Sequence, residues 1–157
     1  MDQNKQTIQR FYAAFSALDA EAMVACYSAD IQFYDPVFGL LESREMVGAM
    51  WTMLCGRATG WSLGVEAVED LGDGYYTCVW EARYLFGPKR RLVTNRVKAH
   101  MRVQGGVILE HSDAFSVHRW SAQAYGWIGW LFGWMGWWQR KVQNQARAML
   151  FHHLERG

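Results

Sequence analysis

IQFYDPVFG, residues 31–39, places a carboxylate where a strand should be apolar. Ile31, Phe33 and Asp35 share one phase of a period-two pattern, so Asp35 points to the same side as two core-type side chains. Pro36 follows at once; it has no backbone N–H to give and ends the run. An ionised carboxylate in a dry interior is unfavourable by several kcal/mol, so Asp35 must find donors, keep its proton or line a wet cavity. Each of these makes it a candidate for proton chemistry. Beside that stands a plainer use, a strand-end aspartate accepting backbone amides near Pro36 and Gly39.

Upstream of this stretch, Ile8, Phe11, Tyr12, Phe15 and Leu18 recur at helical spacing, with Asp2 placed to cap. Asp19 then opens a short second helix, LDAEAMVACYS, with Ala22, Met23, Cys26 and Tyr27 as its apolar face. Downstream, Ser43 opens a third helix, SREMVGAMWTMLCG, with Glu45 in its positive first turn and Gly56 placed to end it. From Trp61 the period changes to two, and four strand-like runs are separated by LGDG, GPKR and QGG. Cys78, Trp80, Ala82, Tyr84 and Phe86 form one inner row. Val93, Val97, Ala99, Met101 and Val103 form the next, interrupted by Asn95, with Arg96, Lys98, His100 and Arg102 outside. In the last run Val107, Leu109, Phe115 and Val117 share their phase with His111 and Asp113. Three helices and a long meander predict an α+β cone, its helices covering the concave face of a curved antiparallel sheet.

The 157 residues amount to one domain, with a net charge of +1 that offers no field for a polyanion. No nucleic-acid partner is expected, and the Lys-Arg-Arg run at 89–91 reads as a solvated hairpin turn. Cys26, Cys55 and Cys78 are odd in number and match no metal-ligand spacing. They read as buried thiols of a reducing compartment. With no signal-peptide core in MDQNKQTIQRF and no run of spanning length, a cytoplasmic protein is expected.

The stretch IQRFYAAFSALDAEAMVACYSADIQFYDPVFG, residues 8–39, resembles the start of ketosteroid isomerases and of the wider NTF2-like, SnoaL-like superfamily of α+β cones. The hairpins extend that resemblance to about residue 118 and imply an NTF2-like domain over 1–119. By the resemblance, Asp35 matches the general base that takes a proton next to a carbonyl. The isomerases' oxyanion tyrosine falls at Phe11 and their protonated aspartate near Ala99, so both of those donors are missing. His111 and Asp113 look like the pair of SnoaL-like cyclases, which work without a cofactor. The Asp, Arg, Asp relay of the superfamily's epoxide hydrolases is not visible, since Arg96 is on the outer phase and Lys98 follows it.

The expected chemistry is therefore cofactor-independent acid–base catalysis on a small apolar carbonyl compound, of isomerase, cyclase or lyase type. Asp35, His111 and Asp113 are the candidate catalytic residues, with His111 donating to the oxyanion and Asp113 holding its tautomer. Asn95 and Tyr12 are candidates to orient or polarise the carbonyl, and Trp80, Tyr84 and Phe115 to wall the ligand. No metal is assigned, because adjacent His152 and His153 diverge around a helix. The competing expectation is a non-catalytic hydrophobic binder or a dimerising scaffold.

Residues 120–157 form a Trp- and Gly-rich extension. Trp127, Trp130, Trp134 and Trp137 are each preceded by a glycine, and four interior glycines would cost an isolated helix roughly 3–4 kcal/mol. Tertiary contact must hold this segment, or it breaks into short turns. A lid over the cone or a homodimer interface is the favoured reading, and a membrane-interfacial segment flanked by Arg140 and Lys141 is the sharper alternative. RKVQNQARAMLFHHL closes the chain as an amphipathic helix through Val142, Ala146, Met149, Leu150 and Leu154.

Overall fold

A computed structural model describes residues 2–156. Helix α1, Gln3–Ser16, is capped by Asp2, whose carboxylate accepts the Asn4 amide at 2.9 Å. It buries Ile8, Phe11, Tyr12 and Phe15. Asp19 caps α2, Ala20–Val24, by accepting from Ala22. Strand β1, Tyr27–Asp35, pairs with β2, Gly39–Glu42, and Ser43 then caps α3, Arg44–Arg57. All three caps fall where short polar side chains precede apolar periodicity. Gly56 does not end α3; it lies in the last turn, and Ala58 leaves the helix in an extended conformation.

The remaining strands are β3, Ser62–Val65; β4, Glu69–Gly72; β5, Tyr75–Phe86; β6, Arg91–Gln104; and β7, Val107–Ala114. The run expected as one strand after Trp61 is thus two short ones. The sheet order is β2-β1-β7-β6-β5-β3, with β4 also on β5. One pair departs from the antiparallel expectation. The α3 crossover carries the chain to the far edge, and the meander returns so that β7 lies parallel to β1.

Inward alternation holds along β5 and β6, where Cys78, Trp80, Ala82, Val93, Val97, Ala99, Met101 and Val103 are all buried. It fails at the start of β7. Val103 faces Ile108 and Arg102 faces Glu110, so Leu109 is the extra residue of a β-bulge. Ile108 is therefore buried and Val107 exposed, yet beyond the bulge His111 and Asp113 point inward. Phe115 lies past the strand, and Val117 opens a helix.

That helix, α4, Val117–Tyr125, is followed by α5, Trp127–Phe132, and α6, Gly136–Arg156. The glycine pattern breaks the extension into helices. Gly126 turns the chain at φ +71°, which a side chain would strain. Gly129 and Gly133 instead let α5 approach α4: a Cβ on Gly133 would lie 3.0 Å from Ser121 Cβ, and one on Gly129 would overlap the Ser121 carbonyl. Because the glycines face inward, Trp127, Trp130 and Trp134 are left on the solvent side. Trp120 and Trp138 are buried with Val93, Ala124 and Val142 in a small second core, and Trp138 donates to Ser121 Oγ at 3.0 Å. We expect Gly129→Ala to lower stability by about 1–3 kcal/mol through overpacking. Gly56→Ala, in open space, should be neutral or stabilising. Urea unfolding of the two variants checks the contrast, and equal effects would refute the close-approach role.

Candidate functional site

Asp35 ends β1 at the point where Pro36 forces the chain to turn, and its Oδ1 accepts the amides of Val37 at 2.9 Å and Phe38 at 2.6 Å. The turn role is therefore real, but it occupies only one carboxylate oxygen. Asp35 also lines a cavity of about 500 Å³ between the sheet, α3 and the C-terminal helices. Burial pushes its pKa up to about 7, the two amides pull the other way, and the nearby Asp113 carboxylate adds to the rise. The turn is fastened on its carbonyl side by α6: Gln143 donates to Pro36 O at 2.7 Å and Arg147 to Phe38 O at 2.6 Å.

Asp113, near the end of β7, lines the same cavity. Its Oδ1 accepts from His111 Nε2 at 2.9 Å and, more loosely, from Trp80 Nε1 at 3.4 Å. His111 does not line the cavity. Its Nδ1 is 2.7 Å from the Tyr27 hydroxyl, which accepts from Trp51 Nε1 at 3.1 Å. The donor pattern assigns the hydrogens. An indole N–H can only donate, so Tyr27 O accepts it and sends its own hydrogen to His111 Nδ1, leaving the imidazole hydrogen on Nε2 for Asp113.

Both nitrogens of His111 are thus committed within the protein, and the expected donation from His111 to an oxyanion is not open to it. It orients Asp113 instead, wedged among Phe11, Phe33 and Trp51. Tyr27 and Trp51 were missed in the sequence. Tyr27 is the first residue of β1 rather than part of the second helix's apolar face; the register shifts between Tyr27 and Gln32 and Ala29 is exposed, so the alternation that runs from Ile31 to Asp35 does not reach it.

Of the other candidates, Asn95, Trp80, Tyr84 and Phe115 line the cavity. The Tyr84 hydroxyl accepts from Trp120 Nε1 at 2.8 Å, and burial raises its pKa to about 12. Tyr12 does not join them. It borders a separate shallow groove with Gln9, Leu63 and Val65, and its hydroxyl is buried beside the Cys78 thiol. Arg96 is exposed and pairs with Glu66 at 2.7 Å, away from the carboxylates. Among the described residues no group of three or more His, Cys, Asp or Glu side chains is arranged to hold a metal ion.

A helix-covered, curved sheet with polar groups at its hollow defines the class, and the chain belongs to the SnoaL-like domain family, whose model matches residues 8–111. Solved structures of the NTF2-like, ketosteroid isomerase-like fold agree. A putative isomerase from Bacillus subtilis aligns with TM-score 0.70 at 12% identity, over 80% of this chain and 96% of its own. An LEH-like epoxide hydrolase from M. tuberculosis aligns at 0.66 and 15%, over 83% and 93%. A putative polyketide cyclase from Silicibacter sp. aligns at 0.65 and 15%, over 75% and 92%. No curated protein matches the chain.

Proposed function

We propose that this protein carries out cofactor-independent acid–base catalysis on a small apolar carbonyl compound bound in the cavity. The observation that carries the reading is the pair of carboxylates, Asp35 from β1 and Asp113 from β7, on one cavity with aromatic walls. A group with a pKa of about 7 both takes and returns a proton near neutrality. Asp35 Oδ2, the oxygen not used by the turn, removes a hydrogen from the carbon next to the carbonyl. The electron pair moves onto the carbonyl oxygen, and the proton returns to carbon from the same carboxyl group. Asn95 is the cavity amide suited to orient that oxygen. Asp113, held by His111, keeps Asp35 basic enough to act.

Isomerase, cyclase and lyase reactions share this first step, so proton exchange tests them together. In D2O the wild-type protein should label the α-carbon of at least one member of a panel of apolar ketones and 1,3-dicarbonyls, read by proton NMR. The Asp35→Asn/Asp113→Asn variant should not. Tight binding without exchange would instead favour a non-catalytic carrier, a reading supported by Phe11 and Ala99 standing where the isomerases keep their oxyanion donors. Neither binding nor exchange would overturn both.

A further inference from the structure

The extension has a face that the cavity chemistry does not use. Trp127, Trp130 and Trp134 are 73%, 64% and 63% exposed, and Trp137 is 48% exposed. Between Ala114 and Leu154 the chain has no Asp or Glu, but has Arg119, Arg140, Lys141 and Arg147. The positive excess of a chain of net charge +1 therefore lies wholly in this segment. The Arg140 guanidinium lies over Gly136, between Trp134 and Trp137 in sequence, so one cation of the segment sits beside the backbone that carries two of these indoles. Among the described residues the indole N–H groups of Trp127, Trp130 and Trp134 make no hydrogen bond.

We infer that this protein docks peripherally on an anionic lipid surface through the tryptophan face of α5 and its flanking turns. Indoles settle at the headgroup level, where the ring is apolar on one side and its N–H reaches ester or phosphate oxygen. Cations beside them add attraction to anionic lipid. Contact is at the surface only, because no helix among the described residues is long and apolar enough to cross a membrane. A second copy of the chain fits the charges less well. A two-fold contact brings the same patch against itself, so Arg140 and Lys141 would face their own kind with no carboxylate in the segment to relieve them. The inference does not depend on the reaction in the cavity, although α4 and α6, which flank this face, also supply cavity wall through Trp120, Val142 and Ala146.

Sucrose-loaded vesicles of phosphatidylcholine with phosphatidylglycerol, and of phosphatidylcholine alone, provide the test by co-sedimentation of the full chain. Binding should favour the anionic vesicles by tenfold or more, weaken with salt and shift tryptophan emission to the blue. R140E/K141E should weaken it by about tenfold or more. W127A/W130A/W134A should abolish the emission shift while keeping the far-ultraviolet circular dichroism of the wild type. No sedimentation with anionic vesicles overturns the inference, and so does equal binding to both compositions. A dimer lost in the triple tryptophan variant, with no vesicle binding, would assign the face to a second copy. Carbonyl exchange by a protein that ignores vesicles, or the converse, separates this inference from the proposed reaction.

Discussion

Asp35→Asn should slow α-carbon exchange by about 10²–10⁴-fold, the usual range for a positioned general base. The amide keeps Oδ1 for the Val37 and Phe38 N–H groups, so the turn survives while the basic oxygen is lost. The same substitution should change the pH dependence of folding. Asp35 moves from an ordinary value of 3.8 to about 7 in the folded protein, so the folded state holds this proton more tightly than the unfolded state. Its contribution is fully present below about pH 4 and is lost as pH rises through 7, an effect on the order of 4 kcal/mol. Wild-type stability should therefore fall between pH 5 and pH 8, and Asp35→Asn should flatten that fall and be the more stable protein at pH 8. Urea unfolding at the two pH values measures it, and parallel behaviour would mean that burial does not hold this proton. As a base, Asp35 must be ionised to act, so the wild-type exchange rate should rise with pH through about 7.

His111→Ala should be about 3–5 kcal/mol destabilising, because it leaves the buried Asp113 carboxylate with only the looser Trp80 donor and the Tyr27 hydroxyl hydrogen without its acceptor. The cost is assigned by a double-mutant comparison. If an uncompensated carboxylate dominates, His111→Ala/Asp113→Ala should be more stable than the sum of the two single effects. Strict additivity would show that the His111–Asp113 hydrogen bond does not couple them. His111→Asn should give a smaller loss than alanine, since an amide restores one donor, and its exchange activity relative to its stability separates orientation of Asp113 from mere packing.

Strand parity carried the sequence reading of this site further than any motif. It placed Asp35 correctly because β1 alternates without interruption from Ile31 to Asp35. His111 and Asp113 came out inward for a less secure reason. The bulge at Leu109 reverses phase, and no glycine or proline marks it, so Val107 was assigned to the wrong face while the residues beyond were assigned to the right one. The parallel β1–β7 pair depends on where a crossover delivers the chain, which local periodicity does not encode. The role of His111 was illegible because it is fixed by Tyr27 and Trp51, 84 positions away and on another element respectively. In the extension, glycine spacing correctly indicated breaks or close contacts, but only the position of Ser121 determines which face turns toward α4.

The α6 fastening of residues 36–38 ties the two halves of the chain together energetically. Two amides from that turn lower the pKa of Asp35 against the effect of burial, and Gln143 and Arg147, 107 and 109 positions downstream, hold the carbonyls of Pro36 and Phe38, the first in the same peptide unit as the Val37 N–H. Acid strength at the head of the cavity is thus coupled to the seating of α6, a helix that also walls the same hollow through Val142 and Ala146.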